Sequence, residues 1–220
     1  MTGDGVNAEV HKNSIAAIKN AGGIGIPTIK PWDNETVKGK IQMANEAGVF
    51  AIAMDVDAAG LPFLKNANPP AGKKSVEELH KIVKMCNAPF IVKGVLSVQD
   101  AEKCAKAGAK AIQVSHHHGI MNYAIPPLQI LPDIVKAVGG KMKIIVDCGI
   151  ESGMDVFKAL ALGADCVCVG RNLMDPLKDG NKGVTERINQ LNTELSTVMA
   201  RTGFHTLSEI DSSVIHYRRA

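Results

Sequence analysis

The sequence predicts an α/β fold of repeated βα units around a parallel sheet. Three observations carry that reading. Short apolar runs alternate with helical patterns along most of the chain. Those runs end on glycine or polar residues: Phe90-Ile91-Val92 before Lys93-Gly94, Ala111-Ile112-Gln113-Val114 before Ser115, Lys143-Ile144-Ile145-Val146 before Asp147, and Cys166-Val167-Cys168-Val169 before Gly170-Arg171. A weak internal repeat places a helix-ending glycine (Gly48, Gly108, Gly163) about two residues before a strand; glycine suits that end because it accepts positive φ without steric penalty. About six strands are counted between Gly23 and Gly170. A closed (β/α)8 barrel takes eight. The chain is thus either a barrel short of an N-terminal pair of units, its first Met an internal start or fragment boundary, or an open doubly wound sheet.

In order along the chain, Asn13 to Ala21 reads as a helix, Gly23 to Ile29 as a strand and Val37 to Ala47 as a helix with apolar residues at Val37, Ile41, Met43 and Ala44. Val49 to Val56 is a strand pattern ending at Asp55 and Asp57. The stretch from Ala58 to Lys74, rich in Pro, Gly and Asn, reads as a loop longer than a minimal connection. Ser75 caps a helix to about Met85, with Glu78 three residues on completing a capping box. Further helices fall near Val98–Ala107, Pro127–Val138, Ser152–Leu162 and Thr185–Arg201.

Composition narrows the functional classes. A chain of 220 residues is long enough for one sizeable core. A net charge of +3, with basic residues scattered apart from Arg218-Arg219, gives no ground for a nucleic-acid partner, and 4% aromatics offers no stacking platform for bases. No apolar run approaches the length of a membrane span. Five cysteines, an odd number without C-x-x-C spacing, fit a reduced, cytoplasmic protein; Cys166 and Cys168 read as buried strand thiols.

Chemistry concentrates at the strand ends, where a parallel α/β barrel places its active site. Gly170-Arg171 reads as a phosphate grip, a close backbone amide followed by a guanidinium, or as a strand-end glycine beside a surface arginine. Asp147-Cys148-Gly149 opens a loop whose glycine lets backbone approach a ligand; Asp147 either binds a ligand hydroxyl or braces the loop. Lys93 closes an apolar strand as a ligand-facing cation or a Schiff-base nucleophile, rather than a snorkelling surface lysine. In Ser115-His116-His117-His118-Gly119, His117 shares the side of Ser115 if strand geometry continues, and it is the candidate base. A metal reading is weaker, since no carboxylate or cysteine lies at ligand spacing, and a polar loop is the plain alternative. Asp55 and Asp57 share a side by parity; one can orient the imidazole, or both cap the following loop. Trp32 reads as a packing residue.

These residues resemble the FMN-dependent α-hydroxy-acid oxidising family, the family of glycolate oxidase and lactate oxidase. The resemblance runs from about Val49 to Gly170. Phe90-Ile91-Val92-Lys93-Gly94-Val95-Leu96 with Asp100-Ala101 is similar to the family's lysine strand. Val146-Asp147-Cys148-Gly149-Ile150, Gly153 and Asp155 to Ala164 are similar to its flavin-phosphate signature, and Gly170-Arg171 to its last phosphate element. The resemblance implies a (β/α)8-type barrel that is N-terminally incomplete here, in which residues 1–220 form one FMN-binding domain, the C-terminal three-quarters of the family barrel. It implies FMN at the carboxyl face, Lys93 by the flavin N1/O2 edge, Ser115 against the ring, and Asp147, Gly149, Gly170 and Arg171 on ribityl and phosphate. It implies His117 as base with Asp57 as its partner, a small hydroxylated substrate oxidised with a hydride equivalent passing to flavin, and a homo-oligomer. An incomplete barrel exposes strand edges, so the chain is expected to be a fragment or to need a partner.

Departures from the family pattern qualify the substrate. Where the family writes Ser-Asn-His-Gly-Gly-Arg, this chain writes Ser115-His116-His117-His118-Gly119-Ile120, so the arginine that clamps the substrate carboxylate becomes Ile120. A second family arginine is Glu151, and the best match to a family tyrosine in the third strand is Pro27. Either His116 or His118 takes over anion binding, or the substrate is not a simple 2-hydroxy acid. Two other functional readings stand beside the oxidoreductase: a flavin-barrel isomerase of the type 2 isopentenyl diphosphate isomerase kind, and a non-catalytic FMN or phosphate binder.

Overall fold

The computed structural model describes residues 1–117 and 121–216. His118, Gly119, Ile120, Arg218 and Arg219, named above, lie outside the described residues. One sheet contains β1 (Thr28–Ile29), β2 (Ile52–Asp55), β3 (Phe90–Val95), β4 (Ala111–Val114), β5 (Lys143–Val146) and β6 (Cys166–Val167) in that order, every neighbouring pair parallel. A doubly wound sheet reverses its winding at a switch point and sets non-consecutive strands side by side. Strictly consecutive order is that of a barrel, and it decides between the two readings of the strand count.

Alternation along each strand divides the apolar residues between two layers. Ile52, Met54, Phe90, Val92, Ile112, Val114, Ile144 and Val146 face the helices and join the main core. Ala51, Ala53, Ile91, Ala111 and Ile145 form a separate cluster on the other face. Burial on both faces is why these strands read as continuous apolar runs rather than as alternating ones.

The helices are α1 (Ala8–Asn20), α2 (Asn34–Glu46), α3 (Pro62–Lys65), α4 (Val76–Met85), α5 (Val98–Ala107), α6 (Pro127–Val138), α7 (Gly153–Ala161) and α8 (Gly180–Thr202). The Ser75–Glu78 capping box forms as expected, and Ser152 with Asp155 forms another at α7. Helix α1 starts five residues before the expected Asn13, because the Asn7 side chain caps it by accepting from the Glu9 amide. Strand β1 is far shorter than the expected Gly23–Ile29: Gly23 and Gly25 instead accept the Phe50 amide through their carbonyls in a turn. The expected loop from Ala58 to Lys74 contains a 3-10 turn over Val56–Gly60 and then α3, pinned by the fully buried Leu64. Cys166, expected to be buried, is exposed because β6 is the last strand of the sheet; Cys168 is half-buried.

The N-terminal segment closes over the β1 edge. Thr2 donates its amide to Ile26 O and accepts from the Thr28 amide, at 3.0 and 3.2 Å. This places Asp4, whose side chain is fully enclosed, beneath four donors. Its Oδ2 accepts from the Lys30 amide and from Trp32 Nε1, and its Oδ1 from Lys40 Nζ and the Gly5 amide, all at 2.8–2.9 Å. Trp32 packs as expected, at 3% exposure, and also donates. Among the described residues no helix is long and apolar enough to cross a membrane.

Candidate active site

The carboxyl ends of β2 to β6 open on one cavity of about 510 Å³. Its lining includes Asp55, Lys93, Ser115, His117, Asp147, Gly149, Gly170 and Arg171. All the sequence-predicted site residues except Asp57 therefore border one space, of the size that takes a small-molecule ligand.

Asp57 reaches the cavity through its partner. His117 Nδ1 lies 3.0 Å from Asp57 Oδ2. A carboxylate only accepts, so Nδ1 carries the hydrogen, and in the neutral ring it is Nε2 that holds the lone pair. The route to this geometry differs from the parity argument. β4 ends at Val114, and the backbone turns into positive φ at His117 (47°), whose amide donates to Ser115 Oγ at 3.0 Å. Strand parity fails for the aspartates too, because Val56 begins a 3-10 turn. Asp55 and Asp57 take different partners as a result.

Asp55 is held between two lysines. Lys30 Nζ is 2.7 Å from its Oδ2 and Lys93 Nζ 2.9 Å from its Oδ1. Burial pushes the Asp55 carboxyl up, but the charges of Lys93 and Lys30 and their hydrogen bonds outweigh it, holding the group below the usual carboxylate range. Lys30, at the end of β1, escaped the sequence reading because no motif contains it. Asp55, Asp57 and His117 bring ligand atoms within 4.8 Å of one another, so folding supplies the carboxylates that sequence spacing lacked for a metal reading. Both Asp55 oxygens already face ammonium groups, and that makes the cluster an ion-pair network.

Gly94 explains how Asp57 fits. It interrupts the β3–β4 register with φ +85°, and a Cβ there would lie 2.2 Å from Asp57 Cγ. Asp147 accepts from Gln113 Nε2 at 2.6 Å, and Gln113 Oε1 is buried without a partner. Cys148, at φ 69°, donates to Asp147 Oδ1. Burial pushes the thiols of Cys148 and Cys168 up to about 11, so both stay protonated near neutral pH and neither is a nucleophile. A Cβ at Gly149 or Gly170 would meet nothing within 4 Å, so both leave backbone open to the cavity. Arg171 makes no ion pair among the described residues, while Arg187, missed in sequence because α8 is remote from every strand-end motif, donates to Glu151 O and Asn172 Oδ1 and ties the last two loops together.

The sequence model of FMN-dependent dehydrogenases matches residues 65–217. The 2-hydroxyacid oxidase of Dictyostelium discoideum is 43% identical over 129 residues, which are 58% of this chain and 33% of that protein. The L-lactate oxidase of a Nostoc species is 39% identical over 156 residues, 70% of this chain and 42% of that one. The chain thus spans less than half the length of these curated relatives. The structure of a Pediococcus acidilactici lactate oxidase superposes with a TM-score of 0.83 at 31% identity, over 93% of this chain and 65% of that one. A mandelate oxidase variant solved with a monooxide FMN adduct gives 0.80 at 31% identity, over 90% and 65%. With a matching family model over most of its length, this chain belongs to the family of FMN-dependent dehydrogenases.

Proposed function

We propose that residues 1–220 form one FMN-binding unit, the C-terminal three-quarters of the family barrel, and that it oxidises a small 2-hydroxy acid. The observation that carries this reading is that a carboxylate-oriented imidazole, His117, and a half-buried ammonium, Lys93, open on the same cavity. The residues fit FMN. Arg171 offers a cation without an ion pair among the described residues, Gly149 and Gly170 leave room for a ligand against backbone, and Asp147, held by Gln113, supplies a carboxylate for hydroxyls.

Turning a 2-hydroxy acid into a 2-oxo acid removes two electrons and two protons. FMN, when bound, supplies the acceptor for the electrons and one hydrogen. His117 Nε2 accepts the other proton, and Asp57 stabilises the imidazolium that results. Lys93 borders the cavity and would set a positive charge beside a bound FMN, which would favour its more negative, reduced state. Relatives named as oxidases and a dehydrogenase support oxidation over isomerisation.

The test is the visible spectrum of the purified protein with FMN, after desalting, followed by anaerobic addition of lactate, glycolate or mandelate. Retained flavin that bleaches with a hydroxy acid is the expected result. Retained flavin that no hydroxy acid reduces would leave a binder, and the oxidase reading would fall. Within this reading Gly94→Ala is expected to push Asp57 off His117. Since misplacement by 1 Å costs about 10²-fold in rate, flavin reduction measured by rapid mixing should slow by about that factor.

A further inference from the structure

We propose that Lys30 is a positioning residue that sets the net charge at the Lys93 end of the cavity, apart from Asp147, Glu151 and Arg171 elsewhere in its wall, acting through Asp55 without touching the ligand. This rests on the FMN reading above. Lys30 does not line the cavity, whereas Asp55 and Lys93 do. Its side chain is 11% exposed, and its ammonium is spent on Asp55 Oδ2. Its position is fixed from behind, since the Lys30 amide donates to the enclosed Asp4.

Asp55 alone beside Lys93 would make a neutral pair, and the cavity would feel little field from either. Lys30 adds a second cation to the same carboxylate, so Lys30, Asp55 and Lys93 together carry one net positive charge. Only Lys93, of the two lysines, borders the cavity, so that charge is presented there. All three side chains are under a fifth exposed, which limits screening by solvent. A buried net cation favours whichever ligand state is more negative, and for a flavin that is the reduced one.

The experiment measures the midpoint potential and dissociation constant of FMN on the wild-type chain, on Lys30→Met, Lys30→Arg and Asp55→Asn, and on the Lys30→Met/Asp55→Asn pair. Lys30→Met is expected to weaken the preference for reduced over oxidised FMN about tenfold, a fall of about 30 mV for a two-electron couple. Lys30→Arg keeps the wild-type potential. The double variant returns towards it, because Lys93 is again an uncompensated cation, and Asp55→Asn alone raises the potential. A merely structural role would not give this sign pattern, and a cycle over the pair isolates the coupling. Bound FMN with an unchanged potential in Lys30→Met, or a double variant as low as the single, overturns the inference and leaves the flavin reading standing. Should Lys30→Met not fold, an Asp55→Asn potential that fails to rise overturns it equally. If the wild-type chain holds no FMN, the flavin reading fails and this inference fails with it.

Discussion

Replacing His117 by alanine is expected to slow flavin reduction by a 2-hydroxy acid about 10²- to 10⁴-fold, the range in which a positioned general base contributes. The geometry of the pair suits that proposed role. Asp57 fixes the ring through Nδ1 at 3.0 Å, so the nitrogen with the lone pair is the one left for substrate. Asp57→Asn is expected to retain the contact geometry but lose the charge that stabilises the imidazolium, with a smaller fall in rate. FMN affinity should change little in either variant, because Gly170 and Arg171, the residues proposed to hold the phosphate, follow β6, two strands away from the β4 end that carries His117. Anaerobic stopped-flow reduction at 450 nm separates the two quantities. An alanine variant that reduces its flavin at the wild-type rate would remove His117 from the mechanism.

Asp4→Ala is expected to be strongly destabilising. It leaves the Lys40 ammonium, whose side chain is 8% exposed, without its partner, and strands the donors of Trp32 and Lys30. Breaking a buried pair from one side typically costs about 3–5 kcal/mol. At about 2–4 °C per kcal/mol for a chain of this size, the melting temperature should fall by about 10 °C. Asp4→Asn, which keeps an acceptor oxygen, should fall by less. Calorimetry decides it: a fall under about 2 °C would mean that the Asp4 network adds little. Because the Lys30 backbone hangs from Asp4, the Asn variant also tests whether loosening this support reaches the cavity.

The sheet was legible because strands buried on both faces leave unbroken apolar runs, and glycines at Gly48, Gly108 and Gly163 mark where helices stop. Positive φ at all three matches that reading. Strand lengths were not legible where the hydrogen-bond pattern, rather than hydrophobicity, ends the ladder: residues 23–26 and 49–51 are apolar, yet they are joined by turn bonds from the Phe50 amide to Gly23 and Gly25, outside the regular ladder. The strand-end residues were found by position alone. Their partners were not, since Lys30, Gln113 and Arg187 owe their place to contacts between distant segments. Asp57 and His117 were paired through family resemblance, and the turn and 3-10 geometry that unites them breaks the parity rule used to align them.

The consecutive order of the strands bears on how the chain reaches its fold. Each strand completes its hydrogen bonds with the strand just before it and the strand just after, so no pairing must wait for remote parts of the chain to meet. The entropy of loop closure is met in small instalments, one βα unit at a time. Each strand from β2 to β5 gains both its partners from the units that adjoin it, and the cavity, lined from the carboxyl ends of β2 to β6, is complete only when the last of these strands is in place.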